Sequence, residues 1–210
     1  MIKKNLKVLI ITSIVVLLPM LAGVSLWDKL PDRIPLHWNT SGEVDSWGSK
    51  AFAVFAVPVI MLAFHWACSL ITLADPKKKN HSQKMIQFTF WIVPAISAVI
   101  SAITYFTALG SEIQIELVVY ASLGAIFTVI GNYLPKCSQN YTIGFKIPWT
   151  LHSEENWNKT HRLAGWIWVF GGIATIALSF LGIHKIILAI ALVMALAPII
   201  YSYILHKKGI

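Results

Sequence analysis

Six long stretches of this chain carry no charged side chain. They are Val8–Trp27, Ala51–Ala74, Met85–Leu109, Leu117–Leu134, Leu163–Ile183 and Ile186–Leu205, each 18 to 25 residues long. At about 1.5 Å of rise per residue, about 20 residues cross the roughly 30 Å hydrocarbon core of a bilayer. Backbone inside lipid has no water to bond to, so each span must be a helix that satisfies its own N–H and C=O groups. The alternation that a β-barrel requires is absent from these runs. The expected fold is an all-α integral membrane protein with six transmembrane helices. Composition agrees: 57% of the 210 residues are hydrophobic and 12% are charged, about half the charged share of an ordinary soluble domain. Disorder, a disulfide scaffold and a simple water-soluble enzyme are excluded on the same grounds.

The first run follows Lys3, Lys4 and Lys7 and has the outline of a signal peptide. Its uncharged length exceeds the roughly 7–15 residues of a signal core. Trp27 ends it where an interfacial anchor belongs, so it reads as a retained helix. Of the 17 Lys and Arg residues, 13 fall on segments that share a side with the N-terminus and 4 on the other side. The positive-inside rule puts the richer side, with both termini, in the cytoplasm. That charge favours contact with anionic lipid. Because it is spread over four segments, direct contact with nucleic acid is not expected. Cys68 and Cys137 fall at different depths, which argues against a disulfide.

Two connectors are longer than topology requires. The outer one, 28–50, has Pro31 and Pro35 to stiffen its start, and Ile34 and Leu36 alternate as in an extended segment. Asn39-Thr40-Ser41-Gly42 reads as a turn. Trp38 and Trp47 bracket that turn, and His37, Trp38, Glu43, Asp45 and Trp47 are the candidate contacts for an extracellular ligand. The inner connector, 135–162, offers Ser153 as a helix N-cap with Glu154 and Glu155 in the first turn. Trp157 and His161 lie four apart and share a face. Trp149, Trp157, Trp166 and Trp168 read as an inner aromatic belt, and Lys146, Lys159 and Arg162 lie where lipid phosphates can be reached. Exposed Trp and Arg also anchor protein interfaces. Asn140, Gly144, Lys146, Pro148, Trp149, Thr150, Trp157, His161 and Arg162 are therefore candidates for a cytoplasmic partner surface.

Both connectors resemble a known family. The inner segment Gly144-Phe145-Lys146-Ile147-Pro148-Trp149-Thr150-Leu151, with Trp157, His161 and Arg162, resembles the cytoplasmic loop of the sporulation-delaying-protein (SdpI-like) immunity family. The outer set Leu30, Pro31, Ile34, Pro35, His37, Gly42, Asp45, Trp47 and Lys50 resembles a short domain of unknown function often fused in front of it. The resemblance implies two parts, an N-terminal two-helix unit over 1–84 and a four-helix immunity unit over 85–210. It implies a non-enzymatic membrane protein that protects its cell from a secreted toxic peptide. In some members it also implies recruitment of a transcriptional repressor to the membrane. Lys146 stands where the family pattern has Arg; it keeps the charge and loses the bidentate fork.

Two other functions compete. An enzyme would be expected to show a recognisable constellation, and HExxH, GxSxG, a Gly-rich phosphate loop and paired intramembrane carboxylates are all absent from the sequence. Nothing in it calls for a metal or a cofactor. A small-molecule or lipid transporter, flippase-like, would use an ionisable group in mid-span, and His65 is the candidate. Small residues four apart, Ser97/Ser101, Ala98/Ala102, Gly124/Thr128 and Gly171/Thr175/Ser179, predict close helix contacts on the third, fourth and fifth spans.

Overall fold

A computed structural model describes residues 2–39, 41–77 and 83–210, and of residues 2–4 the helical backbone alone. Thr40 of the expected turn, and Lys78 and Lys79 of the basic segment, lie outside the described residues. The helices are α1 (Ile2–Ser25), α2 (Val57–Ala74), α3 (Gln83–Ala108), α4 (Ile115–Tyr133), the single-turn α5 (Pro148–His152), α6 (Glu154–Phe180) and α7 (Ile187–Lys207). A π-helical turn, Phe52–Ala56, leads into α2. Among the described residues six helices are long and apolar enough to cross a membrane, as the uncharged runs predict, and the chain is a multi-pass membrane protein. Helices that are apolar all round belong in lipid, and large side chains such as Leu21, Phe64, Phe180 and Leu188 point outward. To this the structure adds an antiparallel hairpin, β1 (Arg33–Trp38) and β2 (Val44–Ser49), in the outer connector.

The chain packs as two compact units. One comprises Met1–Leu70 with Gln87–Val119, the other Ile71–Ile86 with Tyr120–Ile210. In the first, Leu30, Ile34, Ala53, Val54 and Tyr105 form a buried cluster, flanked by Leu26, Trp27, Leu36 and Ala108. The Tyr105 hydroxyl donates to the Pro19 carbonyl at 2.9 Å. A Cβ at Gly23 would lie 2.6 Å from that hydroxyl oxygen, so the contact of α1 with α3 requires glycine there. Further along, Thr12 Oγ1 and His65 Nε2 share a buried hydrogen bond of 3.0 Å. His65 is thus a packed, bonded side chain with the Phe90 ring edge-on beside it.

In the second unit α4 and α6 meet backbone to backbone. A Cβ at Gly124 would lie 2.6 Å from the Gly172 carbonyl, and one at Gly131 would lie 2.7 Å from the Val169 nitrogen. Gly124 and Thr128 therefore make the close contact their spacing predicts. Gly171 makes its close contact with α7 instead, where a Cβ would lie 2.6 Å from Met194 Sδ. Adjacent helical residues point about 100° apart, so Gly172 takes the α4 face and Gly171 the α7 face. On α3, Ser97 and Ser101 are buried, whereas Ala98 and Ala102 are exposed.

Candidate functional site

The outer hairpin is built by local chemistry. Asn39 closes its tip: its Oδ1 accepts from the Ser41 and Glu43 amides at 2.9 and 3.0 Å, and its Nδ2 donates to Glu43 Oε2. Gly42 takes φ +73, a conformation that suits glycine at a turn. Ile34 points into the core, and Leu36 lies against the bare backbone of Gly48, where a Cβ would overlap it. Lys50 fastens the base. Its Nζ donates to the carbonyls of Trp27 and Leu30, both at 3.2 Å, and lies 4.8 Å from the Trp27 ring centroid. Lys50 is thus the residue that ties the end of β2 back to the end of α1.

The pairing register shifts at Asp45, which falls between the pairs His37–Ser46 and Trp38–Val44 as the extra residue of a bulge. Asp45 Oδ1 lies 2.5 Å from His37 Nδ1, and both side chains are open to solvent. Trp47 is 48% exposed and pairs in register with Pro35. Glu43 is exposed but engaged with the turn, and Trp38 is half-buried, its indole N–H without a partner among the described residues. Of the five outer candidates, His37, Asp45 and Trp47 are therefore the accessible side chains that the turn does not engage.

The inner loop is a hydrogen-bonded plug. Asn140, fully buried, donates from Nδ2 to the carbonyls of Ser138 and Ile143 at 2.8 and 3.1 Å, and its Oδ1 accepts from the Thr142 and Ile143 amides. Thr150 donates to the Phe145 carbonyl at 2.7 Å and accepts from the Ile147 amide, which seats Pro148–His152 as a helical turn. Ser153 caps α6 as predicted, its hydroxyl accepting from the Asn156 amide at 3.1 Å.

Trp157 and His161 share a face, as their spacing predicts, and that face turns inward. The two rings stack with centroids 4.0 Å apart, and they are 0% and 1% exposed. Trp157 Nε1 donates to the Cys137 carbonyl at 2.6 Å. His161 Nδ1 faces the Trp157 carbonyl at 2.9 Å, and its Nε2 accepts from the Phe145 amide at 3.0 Å. A carbonyl on one side and an N–H on the other define the neutral ring with its proton on Nδ1. Trp157 is accordingly no part of an aromatic belt, because its indole closes the loop from within.

Asp75, at the end of α2, is a residue the sequence reading missed. Its Oδ2 accepts from the Tyr141 amide at 2.9 Å and the Thr142 hydroxyl at 2.8 Å, and its Oδ1 accepts from the Lys77 amide. Lys77 in turn donates to Gln139, which bonds the carbonyls of Thr150 and Leu151. The available signal was a lone acid between an apolar run and a proline. Burial raises the Cys137 thiol pKa to about 11, opposed by its bond to Asn140 and reinforced by Asp75.

Asn140, Thr150, Trp157 and His161 are therefore interior supports and do not present side chains to a partner. Gly144, at φ +102, serves the same plug, because a Cβ there would run into His161 Nε2. Lys146 and Pro148 are exposed, and Trp149 is half-buried, stacked on His206 with centroids 5.7 Å apart. Arg162 is exposed on α6 with no partner among the described residues.

Comparison with known proteins matches each loop separately and then the chain as a whole. The model of the SdpI/YfhL protein family matches residues 136–202, which hold most of the inner loop with α6 and much of α7. A domain of unknown function, DUF1648, matches residues 14–62, which hold the hairpin. The chain is 30% identical over 209 residues to Immunity protein SdpI of Bacillus subtilis (strain 168), covering 98% of this chain and 97% of that protein. No solved structure matches. With identity at that level along nearly its whole length, the chain belongs to the SdpI/YfhL protein family.

Proposed function

We propose that this chain is an immunity protein of the bacterial plasma membrane that protects its cell from a secreted toxic peptide. The observation that carries the reading is the near full-length identity with a protein named for immunity. Orientation follows from the charge split, with the hairpin outside and the plugged loop inside. In this reading the ligand face is His37, Asp45 and Trp47, on an outer side of net −2 that draws cationic peptides. The two matched segments, 14–62 and 136–202, support treating 1–84 and 85–210 as modules, the first for the ligand and the second for the immunity core. The rim of the inner loop, with Lys146 and Pro148 exposed and Trp149 half-buried beside them, is the surface offered to a cytosolic repressor.

Protection is tested by expressing the chain in a Bacillus subtilis strain that lacks Immunity protein SdpI and growing it beside the producing parent. Survival above the empty-vector control is expected. Killing equal to that control, at matched membrane abundance, overturns the reading. Recruitment is tested separately: Lys146→Glu should release a fluorescently tagged repressor from the membrane while survival is unchanged.

A further inference from the structure

Helix α6 carries in order, four residues apart, a cation with no partner among the described residues, an interfacial aromatic and an apolar wall. Arg162, Trp166, Phe170 and Ala174 are spaced four apart, so they line up along the helix. Arg162 is solvent-exposed, while its neighbour Lys159 is paired with Glu155 at 2.7 Å, so among the described residues Arg162 is the unengaged cation of this turn. Trp166 is 61% exposed, and its indole N–H has no partner among the described residues. Its ring stacks on Phe170, itself 62% exposed, with centroids 5.7 Å apart and planes inclined by 17°.

Beside this aromatic pair lies a groove of about 530 Å³ between α6 and α7, its far wall made by Ile190, Val193 and Met194. Gly171 makes it concave, since the absent side chain leaves α6 and Met194 in contact at its floor. The Trp168 indole, bonded to the Met194 carbonyl at 2.9 Å, fixes the spacing of the two helices there.

We propose that this face is a binding site for one anionic phospholipid of the leaflet next to the inner loop. The sequence of chemistries matches the molecule: guanidinium for the phosphate, indole N–H at the depth of the glycerol esters, apolar groove for an acyl chain. The dimensions match as well. From Arg162 to Ala174 is about 18 Å along the helix, and one leaflet of hydrocarbon is about 15 Å deep. Arg162 supplies charge complementarity that a groove filled by any passing lipid tail would not need, and the guanidinium fork suits a phosphate better than an ammonium does.

The test uses the full-length protein in mixed micelles of phosphatidylglycerol and phosphatidylcholine, with lipid adducts counted by native mass spectrometry. The parent is expected to retain phosphatidylglycerol about fivefold over phosphatidylcholine, the size of one cation at an anionic surface. Arg162→Gln should bring the ratio to about one, and Arg162→Lys should restore part of it. Ala174→Phe, which fills the groove, should lower adducts of both lipids. Where that variant fails to give a monodisperse protein, Ala189→Phe fills the groove from α7. Equal retention of the two lipids by the parent, a preference that survives Arg162→Gln, or adduct numbers indifferent to groove filling would each overturn the proposal. Competition by inorganic phosphate alone would also overturn it, since it would leave the acyl chain no part in binding.

Discussion

The indole N–H of Trp168 donates to the main-chain carbonyl of Met194 at 2.9 Å, and that carbonyl is the one Pro198 leaves without a helical donor. In an α-helix the carbonyl of residue 194 accepts from the amide of residue 198, and proline has none. Inside lipid no water substitutes, so a neighbouring side chain must. Trp168→Phe should therefore cost about 1 kcal/mol in the native protein. The same change in a Pro198→Ala background should cost clearly less, because the alanine amide restores the helical bond. Unfolding curves of the four proteins in one detergent measure the coupling, and strict additivity would refute the pairing.

Cys137 gives a pH-dependent signature of the plugged loop. The thiolate is the nucleophile, and burial has raised the thiol from 9.0 to about 11. In a Cys68→Ser background, alkylation of the folded protein should be negligible near neutrality and should climb only as pH approaches 11. The linkage has a definite sign. The unfolded chain loses this proton first, so the contribution to stability is complete below about pH 9 and declines between 9 and 11. Alkylation at pH 8 as fast as that of the denatured protein would contradict a closed loop.

Gly144 and His161 should behave as one unit. Gly144 sits at φ +102, and a Cβ there would occupy the space of His161 Nε2. Gly144→Ala should destabilise by about 2–3 kcal/mol, combining backbone strain with displacement of the ring from the Phe145 amide. In a His161→Ala background the overlap is gone and the backbone strain remains, so the same change should cost less. Thermal melts of the single and double variants decide it, with equal costs in both backgrounds counting against the contact.

These residues show where the sequence was legible. The spans were readable because lipid imposes one rule over 18 or more residues, and the start of α6 was readable because Ser153 and its two glutamates are a local signature. The extended entry and the turn of the hairpin were readable, but its second strand was not, since β2 reads Val-Asp-Ser-Trp-Gly-Ser and lacks the apolar alternation that marks a strand. Trp157 and His161 were placed on one face correctly, but spacing is silent on whether a face turns to lipid, water or protein. Asn140 and Asp75 do their work through backbone amides that only the folded loop brings within reach.

Trp47 separates a ligand contact from a structural strut in the hairpin. It is 48% exposed and no side chain is bonded to it among the described residues, whereas Lys50 holds two carbonyls and the Trp27 ring. The two residues share a strand end and both belong to the outer motif, so a motif-based reading treats them alike; their environments do not. Lys50→Met strips the donor from two carbonyls at the base of the hairpin and should lower stability by about 1–3 kcal/mol, with membrane abundance and protection falling together. Trp47→Ala should change stability by no more than about 0.5 kcal/mol, as for a surface position. If Trp47 anchors the toxic peptide, its loss should lower the dose for half-inhibition by about tenfold or more, the size of an interface anchor. The measurement is a dose–survival curve for parent, Trp47→Ala and Lys50→Met cells, each normalised to immunoblotted membrane protein. A Trp47→Ala curve that overlays the parent would remove this face from the binding site, and a fall in abundance matching that of Lys50→Met would make the tryptophan a strut.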